Sequence, residues 1–212
     1  MVYLIGKIVI PTIYKLWLRK VNGLENLPKQ GAFIIAANHS SYYDALLLHC
    51  IVIPKIDKKI HALVNSSYWS NSISAWVLEW GECIPVYVKE EKNLKKNKNS
   101  FQRAINYLKN REIVQIFPEG TRSPNGKLKK AYTGVAKLVI KAKVPVLPMG
   151  IIGSNKVLQR GKMLPRFKRC EVKIGKVMHF NKYKKSNKKT LEEITRQIMK
   201  EIAGLIGQKY NY

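Results

Sequence analysis

Acidic residues are scarce in this chain: 13 Asp and Glu stand against 39 Lys and Arg in 212 residues, a formal net charge of +26. Such an imbalance calls for an anionic partner, whether nucleic acid, an anionic membrane surface or a phosphorylated substrate. Cysteine is sparse as well. Cys50, Cys83 and Cys170 are odd in number and widely spaced, which excludes a disulfide scaffold and fits reduced thiols in a cytosolic environment. With 13 glycines and no regular repeat, collagen-like and coiled-coil architectures are excluded. A disordered polycation is excluded by the 46% hydrophobic content. A long uninterrupted apolar run is missing too. Residues 1–18 are rich in Val, Ile, Leu, Tyr and Trp, but Lys7 and Lys15 interrupt them and Pro11 would kink a helix. A spanning helix needs about 20 predominantly apolar residues, and no small-x-small cleavage site follows. The segment is therefore expected to lie in the bilayer interface as short helices, with Lys7, Lys15, Arg19 and Lys20 toward the headgroups. Packing on the domain's own core is the alternative. The chain divides into this interfacial segment, 1–20, and one domain, 21–212.

What is present alternates between strand and helix patterns. Residues 32–38 are a continuous apolar run, as in a strand covered on both faces. Further strands are expected near 59–64, 82–88, 112–117, 144–152 and 169–177. Helices are expected near 43–53, 68–80, 100–109, 132–141 and 191–206, and residues 89–99 read as a solvated loop. This alternation predicts an α/β domain with a mostly parallel, mixed sheet flanked by helices. Trp69, Ile73, Trp76 and Trp80 share one helix face. Such a stripe most often packs on a core; lining an apolar tunnel or touching the bilayer are the alternatives.

Two stretches place polar residues where strands should end, the usual position of sites in open α/β sheets. The first is Asn38-His39-Ser40-Ser41-Tyr42-Tyr43-Asp44. Asp44 falls in the first turn of the following helix and can reach back to His39. A carboxylate accepting from Nδ1–H fixes the tautomer and leaves Nε2 to take a proton. The second is Phe117-Pro118-Glu119-Gly120-Thr121-Arg122-Ser123, where Gly120 permits a tight turn and Arg122, Thr121 and backbone amides can hold a phosphate. Each string alone also reads as a helix cap or a charged turn.

Together, and in this order, they resemble the motifs of the glycerolipid acyltransferase family, the lysophosphatidic acid acyltransferases among them. Val21-x-Gly23-x-Glu25-Asn26-Leu27-Pro28 resembles that family's approach to its first motif. Gly81-Glu82-Cys83-Ile84-Pro85-Val86 resembles its second, and Val144 to Ile151 its fourth. The resemblance covers about residues 20 to 155. One position departs from it: Tyr87-Val88-Lys89 stands where the family often carries Arg, so that Lys89 would serve as a point charge for phosphate.

The resemblance implies acyl transfer from acyl-CoA or acyl carrier protein to the 2-hydroxyl of 1-acyl-sn-glycerol 3-phosphate, giving phosphatidic acid in phospholipid synthesis. Glycerol 3-phosphate or another lysolipid is the alternative acceptor. His39 would be the base and Asp44 its orienting partner. Arg122, Thr121 and Gly120 would hold the acceptor's phosphate, with Glu119 orienting the glycerol or bracing the loop. Amides around Pro148, Met149 and Gly150 would face the oxyanion. No metal or other cofactor is expected, since His39, His49, His61 and His179 lack ligand spacing. The partners would be the donor, the lysophospholipid and an anionic membrane, at the cytoplasmic face of the cell membrane, held peripherally or monotopically. A nucleic-acid-binding protein is the rival that charge alone suggests. It has no zinc-finger, RRM or aromatic-platform signature behind it and leaves both motifs unexplained, so no nucleic-acid partner is expected.

Overall fold

In the computed structural model, described for residue 12 and for residues 15–87, 94–158 and 164–212, seven strands form one sheet. They are β1 (Leu18–Asn22), β2 (Phe33–Ala37), β3 (Ile60–Asn65), β4 (Ile84–Val86), β5 (Ile113–Ile116), β6 (Val146–Ile152) and β7 (Cys170–Ile174). Among the described residues six α-helices accompany them: α1 (Tyr43–Ile56), α2 (Ser72–Trp80), α3 (Leu94–Lys109), α4 (Gly134–Ala142), α5 (Ser154–Val157) and α6 (Lys188–Ile206). The strand order is β1-β7-β6-β2-β5-β3-β4. β2 through β6 run parallel, β7 runs antiparallel to β6, and β1 runs parallel to β7.

The apolar run of β2 is buried at all five positions because it lies inside the sheet with a helix layer on each face. Ile34 and Ala36 pack with Val114, Val146 and the inward sides of α3, α4 and α6. Phe33, Ile35 and Ala37 pack with Leu147 and with Leu47, Leu48, Ile51 and Val52 of α1. Period-2 alternation along the strand distributes its side chains between the two cores.

Several boundaries differ from the sequence reading. β1 is an additional strand that crosses the expected boundary at residue 20. Arg19 lies exposed within it and pairs with Glu171 at 3.5 Å. The expected helix 68–80 is instead a 3₁₀ turn, Ser66–Ser70, followed by α2. Asn71 separates the two, its side chain accepting from the amides of Ile73 and Ser74. α3 starts at Leu94, inside the expected loop, because Ser100, Ala104, Ile105 and Leu108 give it an inward face. Of the N-terminal helices expected over residues 1–18, residues 1–11, 13 and 14 fall outside the described residues, as does the phosphate contact expected of Lys89; Lys15–Trp17 form a 3₁₀ turn and Leu18 opens β1. No described helix is long and apolar enough to cross a membrane.

Candidate active site

The site forms where β2 and β5, neighbours in parallel register, reach the same edge of the sheet. Just beyond β2, Asn38 adds a rung to the ladder. Its Nδ2 donates to the Ile151 carbonyl at 2.8 Å and its Oδ1 accepts from the Ile151 amide at 2.7 Å. His39 follows on this fixed backbone. Asp44, fully buried in the first turn of α1, directs Oδ2 toward three donors: His39 Nδ1 at 2.9 Å and the amides of Ser40 and Ser41, each at 2.7 Å. An ionised carboxylate only accepts, so Nδ1 carries the proton and Nε2 is the basic nitrogen. Asp44 Oδ1 is enclosed without a hydrogen-bond partner. Ser40 Oγ bonds Ser154 Oγ at 2.9 Å, and Ser41 Oγ donates to the Leu158 carbonyl at 2.8 Å.

The loop after β5 clasps His39. Phe117 stacks on the imidazole with centroids 3.9 Å apart and rings 10° from parallel. The His39 amide donates to Glu119 Oε1 at 2.8 Å, and the Ser123 amide donates to the His39 carbonyl at 2.7 Å. Glu119 Oε2 accepts from the Lys129 amide, also at 2.8 Å. Both carboxylate oxygens of this buried residue are thus taken by backbone N–H groups. Burial nevertheless dominates and lifts its carboxyl pKa to about 7. Gly120 turns the chain at φ +67°, where a Cβ would come within 2.9 Å of the Tyr132 ring. Thr121 is exposed and accepts from Lys129 Nζ.

Arg122 lies over the Tyr42 ring with its Cζ 3.4 Å from the centroid, and its Nη1 is enclosed without a hydrogen-bond partner. A desolvated guanidinium edge of this kind is suited to an incoming oxyanion. His39, Asp44, Glu119, Gly120, Thr121 and Arg122 therefore come together. Pro148, Met149 and Gly150 do not join them as free donors. Pro148 has no N–H, and Met149 and Gly150 sit within β6 between paired neighbours. Gly150 is where α6 approaches, since a Cβ there would meet Ile206 and Leu205 at 2.7 and 2.8 Å. The Ile151 amide is taken by Asn38.

Sequence reasoning quoted Asn38, Tyr42, Phe117 and Ser123 within the motifs without giving them these contacts, and it missed Lys129. It also missed a second cluster at the opposite sheet edge, where one ligand atom each from His61, Glu82 and Glu112 lie within 4.8 Å of one another. His61 Nε2 meets Glu112, its Nδ1 lies 3.2 Å from the Glu82 backbone carbonyl and 3.7 Å from the Glu82 carboxylate, and Lys59 also pairs with Glu82. The imidazole thus bridges the Glu112 carboxylate and the Glu82 backbone carbonyl. The ring of His61 stacks on Tyr107 with centroids 3.6 Å apart.

An oriented imidazole and a guanidinium with an enclosed nitrogen, at the carboxyl edge of a parallel sheet, are groups chemically able to take a proton from a nucleophile and to hold an anion. The chain belongs to the acyltransferase family, whose sequence profile matches residues 19–152. It is 30% identical over 145 residues to the 1-acyl-sn-glycerol-3-phosphate acyltransferase of Bacillus subtilis, covering 68% of this chain and 69% of that protein. It is 25% identical over 151 residues to a chloroplastic enzyme of the same name from Arabidopsis thaliana, LPAT1, covering 71% of this chain but 40% of the plant protein. The fold matches the crystal structure of the 1-acyl-sn-glycerophosphate acyltransferase PlsC from Thermotoga maritima. The TM-score is 0.70 at 24% identity, over 91% of this chain and 76% of that one.

Proposed function

We propose that this acyltransferase moves a fatty acyl group from a thioester, acyl-CoA or acyl carrier protein, to the 2-hydroxyl of 1-acyl-sn-glycerol 3-phosphate. The product is phosphatidic acid, and the site faces the membrane that holds the acceptor. One observation carries the reading: the loop bearing Arg122 is hydrogen-bonded to both the amide and the carbonyl of His39. A phosphate held by the unpartnered Arg122 Nη1 then presents its glycerol next to the imidazole. The choice of acceptor is supported by the relatives, two of which are 1-acyl-sn-glycerol-3-phosphate acyltransferases.

His39 Nε2 takes the hydroxyl proton as oxygen attacks the thioester carbonyl. The new C–O bond forms, the tetrahedral intermediate collapses with C–S cleavage, and the imidazolium returns its proton to the leaving thiolate. Asp44 holds the ring and stabilises its transient charge. Glu119 braces the loop, since both its oxygens are occupied by backbone amides.

The test is acyl transfer by the purified full chain in detergent, with 1-acyl-sn-glycerol 3-phosphate, glycerol 3-phosphate and a zwitterionic lysolipid, each offered with both donor types. Phosphatidic acid is expected as the dominant product by kcat/KM. Preference for either other acceptor would overturn the assignment.

A further inference from the structure

Five parallel strands end at the edge that carries His39, and the two reversed strands, β7 and β1, begin there. Two exposed apolar features emerge from the same edge. After β3, the 3₁₀ turn leads into α2, which buries none of its residues. Ile73 is 76% exposed, Trp76 68%, and Val77 and Trp80 are exposed beside them. Before β7, the run 164–169 projects Leu164 at 81% and Phe167 at 103% exposure, interleaved with exposed Arg166, Lys168 and Arg169. Ile73, Trp76 and Trp80 therefore do not take the core position expected of the stripe, while Trp69 is half-buried.

We infer that α2 and residues 164–169 form a rim that docks on an anionic lipid bilayer, with the His39 site held between them over the headgroups. The proposal rests on the lysolipid-acceptor reading above, because an amphiphilic acceptor must leave a bilayer at the edge where His39 lies. The rim is continuous with the site. Tyr68, in the turn before α2, meets Tyr42 edge-on at 6.2 Å between centroids, and Tyr42 carries Arg122. Its chemistry is that of an interface: tryptophans prefer the headgroup level, and Arg and Lys beside Leu and Phe favour anionic lipid. Exposed apolar patches of this kind mark contact surfaces. A second copy of the chain is disfavoured as the occupant, since two molecules of charge +26 repel.

The experiment is co-sedimentation of the full chain with vesicles of phosphatidylglycerol and phosphatidylcholine, and with phosphatidylcholine alone. It compares wild type with the double variant Trp76→Ser, Phe167→Ser. Removing each membrane-buried side chain should weaken partitioning by about tenfold. Replacing Arg166, Lys168 and Arg169 by Glu should abolish the preference for phosphatidylglycerol. Because these side chains are mostly exposed, thermal stability should stay close to the wild-type value, as should kcat on a short-chain acceptor supplied without vesicles. Vesicle binding of the double variant within twofold of wild type overturns the proposal, including the case in which the variant changes only oligomeric state. Lost vesicle binding in a protein that acylates no lysolipid keeps the docking surface and removes the acceptor assignment. Normal acylation with unchanged vesicle binding does the reverse.

Discussion

Replacing Asp44 by Asn separates the charge of this buried carboxylate from its hydrogen bonds. All three donors converge on Oδ2, while Oδ1 is enclosed without a partner. An Asn amide can therefore put its oxygen at the Oδ2 position, keep the Ser40 and Ser41 amides satisfied, and place its NH₂ where Oδ1 was. Charge is what the substitution removes. In the proposed mechanism His39 becomes cationic beside the carboxylate, and two unit charges about 4 Å apart attract by about 4 kcal/mol at an effective dielectric of about 20. Loss of that attraction corresponds to about a thousandfold in kcat. If the amide flips, its NH₂ faces Nδ1 and forces the other tautomer, which removes the basic Nε2 as well. Asp44→Ala behaves differently: it strands two buried amides at about 1–3 kcal/mol each and should lower Tm by about 5–15 °C. The assay is kcat at saturating acceptor together with thermal unfolding of both variants. Asp44→Asn retaining more than a tenth of wild-type kcat with an unchanged Tm would refute the charge argument.

Three further outcomes are expected. Arg122→Ala should raise the acceptor KM by about ten- to a hundredfold with kcat little changed, because a charge-assisted phosphate contact persists from ground state to transition state; an unchanged KM removes Arg122 from the phosphate. Glu119, with its carboxyl lifted to about 7 by burial, binds more protons folded than unfolded between pH 4.5 and 7. Its contribution to stability thus declines as pH rises through that window, while kcat rises as the carboxylate forms and grips both backbone amides; an identical kinetic limb in Glu119→Gln would contradict this. Half-buried His49 has its enclosed Nε2 unpartnered, and burial lowers its pKa from 6.5 to about 4, so stability should fall as pH drops through that range. His49→Leu should shrink the stability lost between pH 8 and pH 5 by about 2 kcal/mol, read from thermal unfolding.

What was legible in the sequence was local. The run 33–37 sits inside the sheet and therefore reads as uninterrupted apolar residues, and the His39–Asp44 spacing spans a single turn of chain. The clasp of residues 117–123 around His39 joins positions some 80 apart, and no periodicity encodes it. β1 was obscured because Arg19 and Lys20 face solvent on an edge strand, where a charged side chain costs little. The lysines at the start of α3 hid its inward face in the same way. The stripe on α2 shows the other limit: spacing reveals that a helix has an apolar side, but not what covers it. In the fourth motif, spacing could not show that the amides of Met149 and Gly150 belong to the sheet.

Transfer should be direct, through a complex of both substrates and with no acyl-enzyme. A covalent route needs a side-chain nucleophile held by a base, and the hydroxyls nearest His39 are engaged elsewhere: Ser40 with Ser154, Ser41 with the Leu158 carbonyl, Ser123 with Asn125 and Thr121 with Lys129. The thiols are no better placed. Cys50, Cys83 and Cys170 are all buried, and burial raises their pKa values to about 12, 11 and 12. At neutral pH their thiolate fractions are on the order of one in ten thousand or less. Asp44 could attack only by abandoning three hydrogen bonds at once. An acceptor hydroxyl between His39 Nε2 and the thioester carbonyl needs none of these groups, since the imidazole takes its proton as the C–O bond forms. A variant with all three cysteines replaced by Ala or Ser should keep its kcat, and wild type incubated with radiolabelled acyl donor and no acceptor should carry no label after denaturation. Label that forms and is discharged to acceptor as fast as kcat would establish a covalent intermediate and overturn direct transfer.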